Sequence, residues 1–195
     1  MQPLKKDGRH ARRERTRGAI VGALLDLAER GILAPTAQQI ADAAGVALRS
    51  IRQHFKTRES LLLAAAQEYA RRAGPRPPPI EPALPLEARL VAFARARARE
   101  LESSAPLRRA AELAEGDSPT VQETMARTRR ARRREIAILF ADVFAASRDG
   151  AALLDAVDLL AGGTVYDAKG QDKRARLERL LRVVLTDKRR EGRPE

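Results

Sequence analysis

Residues 36–55 read TAQQIADAAGVALRSIRQHF, and this stretch carries the most specific structural pattern in the chain. Thr36 and Gln39 have the spacing of a capping box, in which two side chains satisfy the unpaired N–H groups at a helix start. The pattern predicts a short helix that starts at Thr36 and ends just before Gly45, because glycine readily adopts the left-handed conformation that terminates a helix. A second short helix is predicted over residues 47–54.

Two short helices joined by a tight turn form a helix-turn-helix when small and apolar residues lie where they touch. Ile40 and Ala41 supply such residues in the first helix, and Val46 is expected to fill the core after the turn. Ile51 and Phe55 are expected to face a preceding helix. The polar and cationic residues between them then point outward, as in a recognition helix that enters the major groove of DNA.

Two further helices are predicted around this pair. One runs over residues 12–30, with Ile20, Leu24 and Leu27 at helical spacing, and the other begins near Arg58. Residues 1–11 are basic and are predicted to form a flexible arm. Such an arm either contacts phosphates or the minor groove of DNA, or is a frayed terminus without a role.

A proline-rich segment over residues 74–85 is predicted to be an extended linker, because its prolines exclude a helix. It separates a helix-turn-helix domain at 12–73, which includes a connecting helix, from a helical domain at 86–190. Five helical stretches are predicted in the second domain, among them 106–115 and 120–146. The expected fold is all-α, with about nine helices.

Composition narrows the partners and excludes several chemistries. The net charge of +12 predicts attraction to a polyanion, with nucleic acid ahead of an anionic membrane. The predicted recognition helix makes double-stranded DNA the expected partner. The absence of cysteine excludes disulfides and thiolate chemistry, and two histidines are too few for a histidine-built metal site. No glycine-rich phosphate loop or nucleophile–base pair stands out, so we expect neither an enzyme nor a bound cofactor. No apolar run spans a membrane, which predicts a soluble cytoplasmic protein without a membrane partner.

Residues 12–61, which contain the predicted helix-turn-helix, resemble the TetR family of bacterial regulators. The resemblance rests on Ile40-Ala41, Ala44-Gly45-Val46, the stretch 51–55 and the stretch 58–61. It implies a helix-turn-helix DNA-binding domain followed by a helical ligand-binding and dimerisation domain. The chain departs from the family at Ala47, where a capping Ser or Thr is usual, and at Arg52, where an aromatic residue is usual.

The resemblance and the outward face of the recognition helix together predict the DNA contacts. These are Thr36, Gln38, Leu48, Arg49, Ser50, Arg52, Gln53, His54, Lys56 and Arg58. Arg49, Ser50 and Arg52 are the candidates for reading bases, and the Arg52 guanidinium could bind a guanine or a phosphate. Thr36 could cap its helix, bind a phosphate or do both. His54 either contacts the DNA backbone or packs beside Phe55.

For the second domain, the resemblance implies a homodimer and a small-molecule effector. The candidate ligand residues, each of which could instead be plain core, are Phe93, Arg97, Met125, Phe140, Phe144 and Tyr166. The last two helical stretches are predicted to form the dimer interface, or else an intramolecular pair. The candidate interface residues are Leu153, Val157, Leu160, Leu177, Leu181 and Val184.

Two functions remain open at this point. The first is a ligand-responsive repressor that binds a palindromic operator as a dimer. The second is a basic helical protein that binds nucleic acid or an anionic surface without sequence preference. The arginine-rich run 127–134 could bind an anionic ligand or DNA, or could be a solvated helix paired with Glu112, Glu115, Asp117 and Glu123.

Overall fold

A computed structural model of the chain describes residues 4–74, 78–167 and 172–186, and all regular structure within these ranges is helical. The helices are α1 (Leu4–Glu29), α2 (Ala37–Ala44), α3 (Leu48–His54), α4 (Arg58–Ala73), α5 (Leu86–Glu115), α6 (Pro119–Leu139), α7 (Ala141–Ala145), α8 (Gly150–Leu160), α9 (Gly163–Asp167) and α10 (Lys173–Thr186). The all-α prediction is confirmed. Parts of three predicted segments lie outside the described residues, namely 1–3 of the arm, 75–77 of the linker, and 168–171 and 187–190 of the second domain.

The first helix starts well before the predicted position. α1 begins at Leu4, so residues 4–11 continue the helix and differ from the flexible arm expected there. The segment lacks proline, and its arginine, lysine and alanine residues favour helix. The basic side chains from Arg9 onward are therefore presented by a regular helix.

The chain divides into two compact units, and the first consists of Met1–Arg76 and Pro106–Met125. Its apolar core includes Ile40, Ala41, Ile51 and Phe55, which were expected to hold the short helices in place. Residues 106–125 add Ala110 and Val121 to the same core. Because residues 106–125 follow the proline-rich linker, they were predicted to belong to the C-terminal domain. The periodicity of an amphipathic helix does not indicate which core the helix joins.

The second unit consists of Pro77–Ala105 and Ala126–Glu195. Its core is formed by side chains from α5 to α10, in which α8 and α10 pack against each other. The buried members are Leu90, Phe93, Ala94, Ala98, Leu101, Ile136, Leu139, Phe140, Val143, Leu153, Val157, Ala161, Tyr166, Leu177, Leu181 and Leu185. The buried apolar residues of these helices thus face one shared core.

Two predicted helix boundaries are wrong. Residues 106–115 are the last part of α5, which continues through Pro106. Proline removes one helical hydrogen bond at a cost of about 3 kcal/mol, yet the helix formers on both sides keep the helix running. The stretch 120–146 was predicted as one helix, but α6 ends at Leu139.

The break after α6 is stabilised by a buried arginine. Phe140 leaves helical geometry at φ −118° and ψ 26°, and its ring is fully buried. Arg89, only 4% exposed, donates to the Leu139 carbonyl oxygen at 2.6 Å and pairs with both carboxylate oxygens of Asp142 at 2.7 Å. This pairing holds the pKa of Asp142 below its ordinary value. The guanidinium therefore replaces the lost helical donor at a break that periodicity could not indicate.

Candidate nucleic-acid interface

The first helix of the motif is closed at both ends by the predicted residues. The Thr36 hydroxyl accepts from the Gln39 N–H at 3.2 Å, and the Gln39 side-chain oxygen accepts from the Thr36 N–H at 2.9 Å. This reciprocal pair confirms the capping box. Gly45 adopts φ 64° and ψ 33°, which confirms the left-handed turn. The exposed start of α2 therefore keeps N–H groups that could receive a phosphate.

The recognition helix α3 is anchored on one face and open on the other. Ile51 and Phe55 are buried, whereas Leu48, Arg49, Arg52 and Gln53 are exposed. Ser50 and His54 are half-buried. Ala47 precedes the helix with no side-chain cap, as its methyl group requires. The geometry thus gathers four predicted DNA-contacting residues on a single outward face, with two arginines among them.

The remaining predicted contacts lie on both sides of α3. Thr36 and Gln38 are exposed at the start of α2, where the Gln38 amide donates to Asp42 Oδ1 at 2.7 Å. Lys56 is exposed between α3 and α4, and Arg58 is exposed at the start of α4. An Arg58 guanidinium nitrogen donates weakly to the Leu33 carbonyl oxygen, at 3.4 Å. This long hydrogen bond leaves most of the cation's donors available to a phosphate.

The structure adds Arg17 to the surroundings of α3. Its guanidinium carbon lies 5.1 Å from the centre of the Phe55 ring, which is within range of a cation–π contact. α1 is therefore packed on the residue that directly follows the recognition helix. The sequence pattern did not indicate this contact, because residues 17 and 55 belong to helices with separate periodicities.

Glu59 is a second residue that the motif alone did not indicate. Its carboxylate accepts from the Ser118 hydroxyl at 2.9 Å, and Ser118 in turn accepts from the Val121 N–H at 3.2 Å. Hydrogen bonds from the Thr120 side chain, and then from Ser118, lower the pKa of Glu59 below 4.5. The carboxylate therefore lies at the positive N-terminal end of α6 as well as in the first turn of α4.

The candidate ligand residues do not form a single group. Phe93 and Phe140 are buried edge to face with ring centres 5.7 Å apart, and Phe144 packs beside them at 6.5 Å from Phe140. Tyr166 is buried in the same core. Met125, in contrast, packs on the core of the first unit.

The two polar members of that set are engaged within the chain. The Arg97 Nε donates to the Ala161 carbonyl oxygen at 2.6 Å, and Tyr166 donates its hydroxyl to Glu102 at 2.5 Å. Burial is the main cause that raises the pKa of Tyr166. A solvent-open groove of about 390 Å³ occurs elsewhere in the second unit, lined by Pro82, Ala83, Leu84, Arg89, Ile138, Ala141 and Asp142.

The candidate dimer residues face their own chain. Leu153, Val157, Leu177 and Leu181 are buried in the core of the second unit, and Leu160 and Val184 pack partly against it. The structure corrects the predicted interface at the four buried residues, because a side chain covered by its own subunit is not available to a second copy. The outer faces of the same helices carry Leu159 and Val183, which are 66% and 57% exposed.

The arginine-rich run belongs to α6 and is partly neutralised by α8. Arg132 pairs with Asp158 at 2.7 Å, and Arg133 pairs with Asp155 at 2.5 Å. The four acidic partners suggested by the sequence are not the ones that hold these two arginines. The pairing favours a structural role for this part of the run.

Comparisons with known proteins agree with the geometry of the first unit. Residues 20–65 match the model of the bacterial regulatory proteins of the tetR family. No curated protein matches the chain. No helix among the described residues has the length and apolar character needed to cross a membrane.

Two solved structures share the fold. A transcriptional regulator from Rhodococcus sp. Rha1 is 18% identical with a TM-score of 0.67, over 90% of this chain and 96% of the other. A candidate transcriptional regulator from Streptomyces coelicolor A3(2) is 22% identical with a TM-score of 0.51, over 88% and 98% of the two chains. The family match coincides with the capped α2, the left-handed Gly45 and the exposed α3. Residues 20–65 thus carry a helix-turn-helix that matches the bacterial regulatory proteins of the tetR family.

Proposed function

We propose that this chain is a TetR-type transcriptional regulator, which represses transcription by binding a palindromic operator as a homodimer and is released by a small-molecule effector. The observation that carries the DNA-binding part is the outward face of α3, where Arg49, Arg52 and Gln53 are exposed above the buried Ile51. Arginine and glutamine are side chains that make bidentate contacts with base edges in the major groove.

Dimerisation is supported by the apolar residues left on the outside of α8 and α10. Leu159 and Val183 are exposed on two helices that pack together, and Ala152 and Leu180 extend the apolar surface beside them. Two such helices from each of two subunits can form a four-helix bundle. A two-fold dimer would present two α3 helices to half-sites about 34–36 Å apart, or one turn of DNA.

The effector proposal rests on the family resemblance and on the second unit's large apolar core. The aromatic group of Phe93, Phe140 and Phe144 favours an apolar or aromatic ligand, since such rings pack well against flat apolar surfaces. An effector acts only if it binds the DNA-competent and the DNA-incompetent states with different affinities.

Selection of bound DNA from a random duplex library tests the operator proposal. We expect an enriched palindrome with half-sites about one turn apart. The basic-protein alternative, supported by the net charge of +12, predicts no enriched sequence and complete displacement by a modest excess of bulk DNA. Recovery of unrelated sequences would therefore overturn the operator proposal.

A further inference from the structure

The N-terminal part of α1 is a basic segment that the recognition motif leaves unexplained. Residues 1–17 contain seven lysines and arginines against two acidic residues. From Arg9 to Arg15 every side chain is exposed, and the apolar core of the unit begins only at Ile20. The helix therefore extends past the body of the first unit.

The arginines in this part of α1 lie on two different faces of the helix. Positions 9, 13 and 17 succeed one another at four-residue intervals, so they share a face of the helix. Ile20, Leu24 and Leu27 continue the same face into the core. Around the helix axis, Arg13 and Arg9 lie about 40° and 80° from Arg17, whereas Arg12 and Arg15 lie about 140° and 160° from it and are turned away from the side that meets Phe55.

The face that carries Arg9 and Arg13 is directed toward the recognition motif. Arg17, one turn after Arg13, lies over the ring of Phe55, and Phe55 directly follows α3. With a rise of 1.5 Å per residue, Arg9 and Arg13 are about 6 Å apart along the helix axis and begin about 6 Å beyond this contact. Both arginines thus continue the side of α1 that carries the contact between Arg17 and Phe55.

Among the described residues, no ion pair or hydrogen bond engages the side chain of Arg9 or Arg13, and both side chains are exposed. DNA presents a phosphate about every 3.4 Å along each strand, so two cations about 6 Å apart can reach neighbouring phosphates of one strand. An arginine fork is well suited to such oxygens.

We propose that the extension of α1 is a second DNA-binding element, in which Arg9 and Arg13 bind backbone phosphates beside the site occupied by α3. The proposal rests on DNA binding by the recognition motif and adds the residues that hold the flanking backbone. Phosphate contacts carry no sequence information, so the extension contributes affinity and register but not base preference.

The test compares two double variants with the same charge change on different faces of one helix. R9A/R13A removes the face directed toward α3, and R12A/R15A removes the face turned away from it. Alanine preserves the helix, and all four positions are exposed, so circular dichroism and thermal unfolding should match the wild-type chain. The full chain is titrated with a random-sequence 40-base-pair duplex and with the selected operator, across a series of salt concentrations.

We expect R9A/R13A to lower the slope of log K against log salt by about 1 to 2 on both duplexes, and R12A/R15A to change it by less than half as much. R9K/R13K should restore most of the slope, because lysine also neutralises a phosphate. Equal effects of the two alanine variants, or a wild-type slope in R9A/R13A, would overturn the proposal. If the wild-type chain shows no operator preference, the operator proposal fails, while the face-specific loss on random duplex still supports this one.

Discussion

At the scale of single residues, Gly45 is the position where backbone conformation decides the motif. Its φ is +64°, and a Cβ added at this position would meet no atom within 4 Å. The requirement for glycine is therefore conformational and not steric. In contrast, Gly18 lies in the middle of α1 with equally open surroundings and no positive φ.

This contrast gives a prediction with an internal control. Gly45→Ala should lower the free energy of unfolding by about 1–2 kcal/mol, because alanine is strained in the left-handed region. Gly18→Ala should raise it by up to about 1 kcal/mol, because alanine is the better helix former. Urea unfolding of both variants measures the difference. Equal effects would contradict the conformational explanation.

Arg52 and Arg58 are both exposed cations but should have different roles. Arg52 stands on the outward face of α3, whereas Arg58 begins α4. Arg52→Ala should relax base preference at one operator position, by about 1–3 kcal/mol, because it removes a base-edge contact. Binding of the operator and its single-base variants measures this loss. A uniform loss across all variants would show that Arg52 contacts phosphate instead.

Arg58→Ala should weaken binding to all sequences alike and reduce the salt slope by about 1, because a phosphate contact is independent of sequence. The same titrations, repeated at several salt concentrations, provide the measurement. Altered base preference in this variant would reverse the assignment. The unfolding temperature of each variant should stay close to the wild-type value, since both side chains are exposed.

At the scale of elements, Glu59 links the first turn of α4 to the start of α6 within the first unit. The folded pKa of its carboxyl group lies below 4.5, and the side chains of Thr120 and Ser118 are the main cause. The folded chain therefore holds this proton less tightly than the unfolded chain. The resulting stabilisation is present above about pH 4.5 and is lost as the pH falls through the folded pKa.

Glu59→Gln should therefore flatten the acid limb of the stability profile. We expect the variant to be less stable than the wild-type chain at neutral pH, and the two curves to converge as the pH falls through the lowered pKa of Glu59. Glu68, whose pKa is lowered to about 2 by Arg71 and Arg72, titrates in both proteins and cancels in the comparison. Urea unfolding between pH 3 and about pH 7 tests this, with Glu29→Gln as the control. Parallel curves would contradict the link.

At the scale of the whole molecule, the exposed apolar residues of α8 and α10 are expected to set the oligomeric state. L159E/V183E should convert a dimer into a chain of 21.5 kDa, because two charges would be buried in the proposed interface. Ile138 is as exposed as Leu159 but lies at the end of α6. Ile138→Glu is therefore the matched control and should leave the dimer intact.

Sedimentation equilibrium measures this change in mass directly. The monomeric variant should also bind a single half-site with much weaker affinity than the dimer binds the palindrome, because the second contact is no longer intramolecular. A dimer that survives L159E/V183E would place the interface elsewhere. A wild-type chain that sediments as a monomer would contradict the dimer proposal itself.

The helix-turn-helix formed by α2 and α3 could be predicted from the sequence alone, because the interactions that shape it are local. The capping box joins residues 36 and 39, the turn depends on one glycine, and the spacing of Ile51 and Phe55 selects the buried face of α3. Each of these features depends on residues within one or two helical turns. Local hydrogen bonds and helical periodicity were therefore sufficient to predict them.

Which apolar surfaces pack against each other could not be predicted from the sequence and is seen only in the folded chain. Leu153 and Leu181 look like interface residues in a helical pattern, yet the chain buries them in its own core and leaves Leu159 outside. The contact of Glu59 with Ser118 and the membership of Val121 in the first unit join segments far apart in sequence. Periodicity identifies the face that is buried but not the partner that buries it, since apolar contacts are non-directional and depend only on the packing of the whole chain.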